Sequence, residues 1–197
     1  MALTRDGALE LFHRQIEESC RVKQSFSEAL LLNIWNLAER TAIAFENGGK
    51  VLLMGNGGSA ADAQHIAAEL VGRLHARRKA LPAIALTTDS SILTAVSNDF
   101  GFAESFARQV EALAVRGDLL IAISTSGRSP NILRALEQGC AQGCYTVGWS
   151  GETGGDMAGR VDLLLAVPSN DTQRIQEAHN LIGHLYCASV ERALFEL

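Results

Sequence analysis

Between residues 7 and 47 the apolar positions recur every three or four residues, as Leu9, Phe12 and Ile16, then Leu30, Leu31, Ile34, Leu37, Ala38 and Ile43. No proline interrupts either stripe, so the spacing predicts two long amphipathic helices, the second stopped by Asn47-Gly48-Gly49. After Gly49 the rhythm changes. Residues 51–54, 83–86, 119–123, 145–149 and 161–167 are short apolar runs, the length of strands buried on both faces. Most of them lead into a polar or glycine-rich turn and then a helical pattern. Strands alternating with helices predict an α/β fold, a doubly wound five-stranded parallel sheet flanked by helices, with a helical N-terminal extension. A long C-terminal helix is expected over residues 173–197, with apolar positions Ile175, Ala178, Leu181, Ile182, Leu185, Ala188, Val190 and Leu194. That stripe is wide for one packing face. With the N-terminal helices it exceeds what one small sheet can cover, which predicts a helical interface between copies of the chain. We read residues 1–197 as a single domain, in which 1–48 serve oligomerisation and 49–197 form the α/β core and C-terminal helix.

Composition narrows the function classes. The 197 residues are 47% hydrophobic but only 6% aromatic, with 18 glycines, so the core is expected to be aliphatic and the loops to allow close approach. A net charge of -5, from 17 Lys+Arg against 22 Asp+Glu, argues against an extended nucleic-acid or anionic-membrane surface. The N-terminus lacks the basic start and apolar run of a signal peptide, and no stretch has the ~18 apolar residues of a membrane span. A soluble, cytoplasmic protein is expected. Cys20, Cys140, Cys144 and Cys187 have neither zinc-ribbon nor disulfide-framework spacing and are read as small core hydrophobes in a reducing compartment.

In a doubly wound sheet the ligand sits at the carboxyl ends of the strands. After the first strand comes Gly55-Asn56-Gly57-Gly58-Ser59-Ala60, running directly into a helical pattern. It matches G-x-G-x-x-A, but near residues 74–78, where a dinucleotide site needs an acidic residue, the chain is rich in His and Arg. The lysine of a Walker loop is also missing. After the third strand, Ser124-Thr125-Ser126-Gly127-Arg128-Ser129-Pro130 places four hydroxyls in six residues ahead of a helix. Ser129 by itself reads as a helix N-cap. Together the two turns predict a site for one phosphate, held by hydroxyls and backbone N–H groups that a net-charge count does not register.

Gly55-Asn56-Gly57-Gly58-Ser59 and Ile123-Ser124-Thr125-Ser126-Gly127-x-Ser129 resemble the signatures of the sugar isomerase (SIS) domain family. Ala63-Gln64-His65-x-x-x-Glu69, Asn98-Asp99, Arg174-Ile175-Gln176-Glu177 and His184 narrow the resemblance to the phosphoheptose isomerase family, across essentially the whole chain. The resemblance implies an SIS fold and a homotetramer that converts sedoheptulose 7-phosphate to D-glycero-D-manno-heptose 7-phosphate for bacterial lipopolysaccharide or capsule. It assigns phosphate to Ser59, Ser124, Thr125, Ser126 and Ser129. Asn56, Gly57, Gly58, Asn98 and Asp99 would line the sugar site, with Glu69 and Gln176 also facing substrate. His65, Glu69, Gln176 and His184 would hold one zinc per subunit, and Glu69 and His184 would move the protons. One position departs from some relatives, Gln173, where these carry an acidic residue. The alternative within the superfamily is a non-enzymatic protein that binds the replication initiator DnaA or senses sugar phosphates; the retained Glu69 and His184 argue against it.

Spacing alone supports part of this cluster. His65 and Glu69 are one helical turn apart on one face. Gln176 and His184 are eight residues apart, ~12 Å along a helix and roughly 80° around it, so spacing pairs Gln176 with His179 while the resemblance pairs it with His184. A His/Glu/Gln/His set suits zinc or another divalent cation. His13, and His75 with its neighbours Arg73, Arg77, Arg78 and Lys79, read as solvated faces.

Overall fold

A computed structural model describes residues 4–195, so residues 1–3 and the expected end of the last helix, 196 and 197, lie outside the described residues. Strands β1 (Val51–Gly55), β2 (Ala83–Ala85), β3 (Leu119–Ile123), β4 (Tyr145–Ser150) and β5 (Leu163–Ala166) form one parallel sheet in the order β2-β1-β3-β4-β5. The expected doubly wound architecture is observed. Its edge strands are shorter than the apolar runs that encode them, because an edge strand has one neighbour to pair with; Ile84 of β2 is 40% exposed.

The continuous apolar runs reflect burial on both sides. Val51 and Leu53, Leu119, Ile121 and Ile123, and Val147 and Trp149 point into a core shared with α2 (Glu28–Glu46), α3 (Gly58–Val71) and α7 (Thr172–Leu194). The alternate residues Leu52, Met54, Leu120 and Ala122 point into a second core with α5 (Ala107–Leu113) and α6 (Pro130–Gln142). Tyr186 and Thr41 share a buried hydrogen bond of 3.0 Å that ties α7 to α2. His179 is also buried, with Nε2 3.2 Å from the Ser150 carbonyl, and desolvation lowers its pKa to about 4, so it stays neutral. Gln176 therefore does not gain His179 as a partner on an open face. Among the described residues no helix is long and apolar enough to cross a membrane.

The N-terminal segment folds as expected into two helices, α1 (Arg5–Gln24) and α2, capped by the Thr4 and Ser27 hydroxyls. Yet α1 buries none of its residues: Leu9, Phe12 and Ile16 are 48%, 55% and 61% exposed. A buried guanidinium tethers it, Arg174 of α7 donating to the Gln15 carbonyl.

Two sequence readings need correction. Cys144 and Cys187 are buried, their thiols pushed up by desolvation to about 11 and about 12, but Cys20 and Cys140 are exposed because each stands on the outer face of an amphipathic helix. The basic stretch after α3 is not wholly solvated. The Arg78 and Glu191 side chains are 2% and 1% exposed and meet at 2.9 Å.

Candidate active site

Strand β1 pairs with β2 on one side and β3 on the other, so the chain reverses its winding between β1 and β3. Gly55 is in register with Ile123, which puts the glycine turn and the hydroxyl turn side by side at that switch point. In the glycine turn, Gly57 has φ +56° and faces open space, while a Cβ on Gly55 would run into the Ser59 backbone. These two glycines allow β1 to turn directly into α3. Among the described residues no side chain caps α3; its Ser59 and Ala60 N–H groups turn back to the Asn56 and Gly57 carbonyls at 3.0 and 3.1 Å, beside the buried Ser59 side chain.

In the hydroxyl turn, Ser129 stands at the N-cap of α6 with Pro130 behind it, but its hydroxyl makes no cap bond. It turns instead to Ser124, Oγ to Oγ 3.2 Å, which removes the simple N-cap reading. Ser126 accepts from the Arg128 N–H and is exposed, and Thr125 is half-buried. Gly127, at φ +63°, abuts the Gly154–Gly155 backbone. The segment after β4 thus braces this turn, through Gly151 N to Thr125 O at 3.0 Å and Met157 N to Gly127 O at 3.1 Å.

Asn56 and Asn131 exchange two amide hydrogen bonds of 2.9 Å, joining the two turns. Asn131 was not singled out from sequence; its only signal is its place in the first turn of α6, next to the hydroxyl cluster. Asn98 and Asp99 lie on the last turn of α4 (Ser90–Phe100), exposed and bonded to each other at 2.7 Å rather than to either turn.

Further along α3 the cluster assembles. His65 Nε2 and Glu69 Oε1 are 3.2 Å apart, and the His65 and His184 rings meet edge to face at 5.0 Å. Ligating atoms of His65, Glu69 and His184 all fall within 4.8 Å of one another, a half-buried donor set of two imidazoles and a carboxylate that fits a divalent cation. Gln176, the fourth expected ligand, packs its amide over Gly58, leaving no room there for a Cβ. It lines a cleft with Asp62, Gln173, Glu177 and Asn180. Asp62 and Asn180 are further residues that sequence reasoning missed. Burial pushes the Asp62 carboxyl up, offset in part by His65 and the Asn180 amide, and its Oδ2 has no hydrogen-bond partner among the described residues. Asp62 is three residues before His65, on the same face of α3, and that spacing was the available signal.

Residues 15–151 match the SIS domain family. The phosphoheptose isomerase of Roseiflexus sp. is 54% identical over 182 residues, 92% of this chain and 92% of that protein. The chain belongs to the phosphoheptose isomerases. The phosphoheptose isomerase of Aquifex aeolicus is similar at 50% identity over 188 residues, 95% of this chain and 98% of its own length. Among solved structures, phosphoheptose isomerase GmhA from Neisseria gonorrhoeae superposes with a TM-score of 0.89 at 41% identity, covering 94% of this chain and 99% of that one. A phosphoheptose isomerase from Francisella tularensis gives 0.88 at 36% identity, with 94% and 98% covered. As a phosphoheptose isomerase the chain is an enzyme acting on a sugar phosphate, and the reading as a non-enzymatic sensor or DnaA-binding protein has no support.

Proposed function

We infer that this isomerase converts sedoheptulose 7-phosphate to D-glycero-D-manno-heptose 7-phosphate, in the bacterial cytoplasm, to supply heptose for lipopolysaccharide or capsule. The observation that carries the reading is that one helix, α3, starts at the glycine turn and bears His65 and Glu69 further along, opposite His184. By helix rise, the gap from Ser59 to His65 and Glu69 is ~9–15 Å, the span of a long open-chain sugar phosphate rather than a triose phosphate.

The phosphate would lie between the Ser59, Ser124 and Ser129 hydroxyls, with Thr125 and Ser126 at the rim, facing the N-termini of α3 and α6. Asn56, Gly57, Gly58, Asn98 and Asp99 would direct the hydroxylated chain toward the cluster. Ketose-to-aldose exchange moves a proton from C1 to C2 and a hydroxyl proton from O1 to O2 through an enediolate. Glu69 takes and returns the carbon-bound proton. One of its oxygens is engaged by His65, which leaves Oε2 for that transfer. His184 carries the hydroxyl proton. Zinc held by His65 and Gln176, at the cluster that Glu69 and His184 complete, would supply Lewis-acid polarisation of the carbonyl and hydroxyl oxygens.

Incubation with sedoheptulose 7-phosphate and with shorter ketose phosphates, following aldose formation, tests the substrate. Turnover is expected with the seven-carbon sugar, and turnover only with a shorter one overturns the assignment. Excess chelator is expected to abolish this turnover and zinc to restore it; activity that survives complete metal removal takes the cation out of the chemistry.

Residues 1–48 are proposed to serve assembly of a homotetramer. The outward stripe Leu9, Phe12 and Ile16 on α1, with Leu32 and Trp35 of α2 at 54% and 44% exposure, is a surface that a second copy would cover. Replacing Phe12 and Ile16 with Asp is expected to yield smaller species by light scattering after gel filtration. An unchanged mass would exclude this face from the interface.

A further inference from the structure

We propose that Asn180 is a positioning residue that sets the tautomer of His65 and so presents His65 Nε2 to Glu69 and His184. Asn180 stands on α7 one turn before His184, so the residue that steers one imidazole shares a helix face with the other. Its Nδ2 lies 3.3 Å from His65 Nδ1. An amide nitrogen only donates, so Nδ1 accepts and the proton of the neutral ring sits on Nε2. There it points at Glu69 Oε1, 3.2 Å away. The amide also adjoins the buried Asp62 carboxylate, which attracts its N–H groups and favours this donating orientation in the cation-free protein.

A carboxamide can serve the ring in both of its states. It donates to a bare Nδ1 when Nε2 carries the proton. After a half-turn about its last torsion it accepts from Nδ1–H, the arrangement a histidine needs when Nε2 is given to a cation. In either state the ring is anchored through Nδ1, and Nε2 is the atom that faces the cluster. Asn180 is exposed, so a substitution there leaves the two cores undisturbed.

The test compares wild type with Asn180→Leu, which is close in size but can neither donate nor accept, and Asn180→Gln, which keeps the amide. Side-chain nitrogen NMR of the metal-free protein reads the His65 tautomer directly, and competition titration with zinc reads affinity. Wild type is expected to show the Nε2–H form, Asn180→Leu a mixture of tautomers with zinc affinity lower by about 10–100-fold, and Asn180→Gln a pattern close to wild type. An Nδ1–H form in metal-free wild type, or a His65 tautomer unmoved by Asn180→Leu, overturns the proposal. So does an unchanged zinc affinity in a variant whose wild type binds zinc. Only the affinity arm rests on the cluster being a cation site. If wild type binds no divalent cation, that reading fails by itself and the tautomer decides the role of Asn180.

Discussion

Glu69→Gln is expected to lower kcat by about 10²–10⁴-fold while KM changes only a few-fold. The amide keeps the length of the side chain, and its oxygen can still accept from His65 Nε2, where the native carboxylate lies at 3.2 Å. The change removes the basic oxygen while the shape of the cluster is retained. Substrate affinity should be largely spared, because the hydroxyls assigned to phosphate belong to the turns after β1 and β3. Steady-state kinetics, run beside a zinc titration of the same variant, check the result. Near-normal turnover removes Glu69 from the proton-transfer role, and a kcat restored by excess zinc makes its part ligation rather than base catalysis.

The largest stability effect is expected at Glu191, on α7. Its buried carboxylate accepts from the backbone N–H groups of Leu74, His75 and Ala76 and from Arg78 Nε. Arg78 in turn donates to the carbonyls of Glu69 and Leu70, both at 2.8 Å, which are among the last-turn acceptors of α3 that have no partner within the helix. Glu191→Ala would strand a buried guanidinium and three N–H groups. A loss of about 3–5 kcal/mol is expected, seen as a melting temperature lower by on the order of 10 °C. Burial pushes the Glu191 carboxyl up, but the three N–H groups and Arg78 outweigh it and hold the group below its ordinary value of 4.5. Its contribution is therefore complete above about pH 4.5 and is lost as pH falls through the native pKa. Glu191→Gln should flatten that part of the stability-pH curve, and an unchanged curve would mean that other carboxylates dominate acid unfolding.

The central strands were legible because residues such as Leu52 and Leu53 must both be apolar when the sheet is covered on each face. The two turns were legible for a related reason: glycine and hydroxyl residues are informative in chain order. What could not be read depends on how α3 and α7 pack. Arg78 looks solvated until Glu191, 113 positions away, is brought to it. Asp62 and Asn180 are unremarkable polar residues until the two helices set them around His65. Spacing favoured His179 over His184, and the rotation of α7 decides otherwise, sending His179 inward against Trp149 and His184 toward His65. Ser129 has the sequence of a cap, but the fold of its own turn brings Ser124, five residues upstream, to its hydroxyl instead. Gly127 is glycine for the sake of Gly154 and Gly155, residues it meets only in the folded chain.

The reciprocal amides of Asn56 and Asn131 have a consequence for substitution at either site. Each satisfies both hydrogen-bonding ends of the other, and Asn131 is 1% exposed. A change at either position alone removes both bonds, at about 1 kcal/mol each: Asn131 keeps the Ile132 N–H and the Ser105 hydroxyl as partners, whereas the half-buried Asn56 amide is left to water. The two sites, 75 residues apart, are therefore expected to be coupled in stability, an exchange at both together costing less than the sum of the two single exchanges.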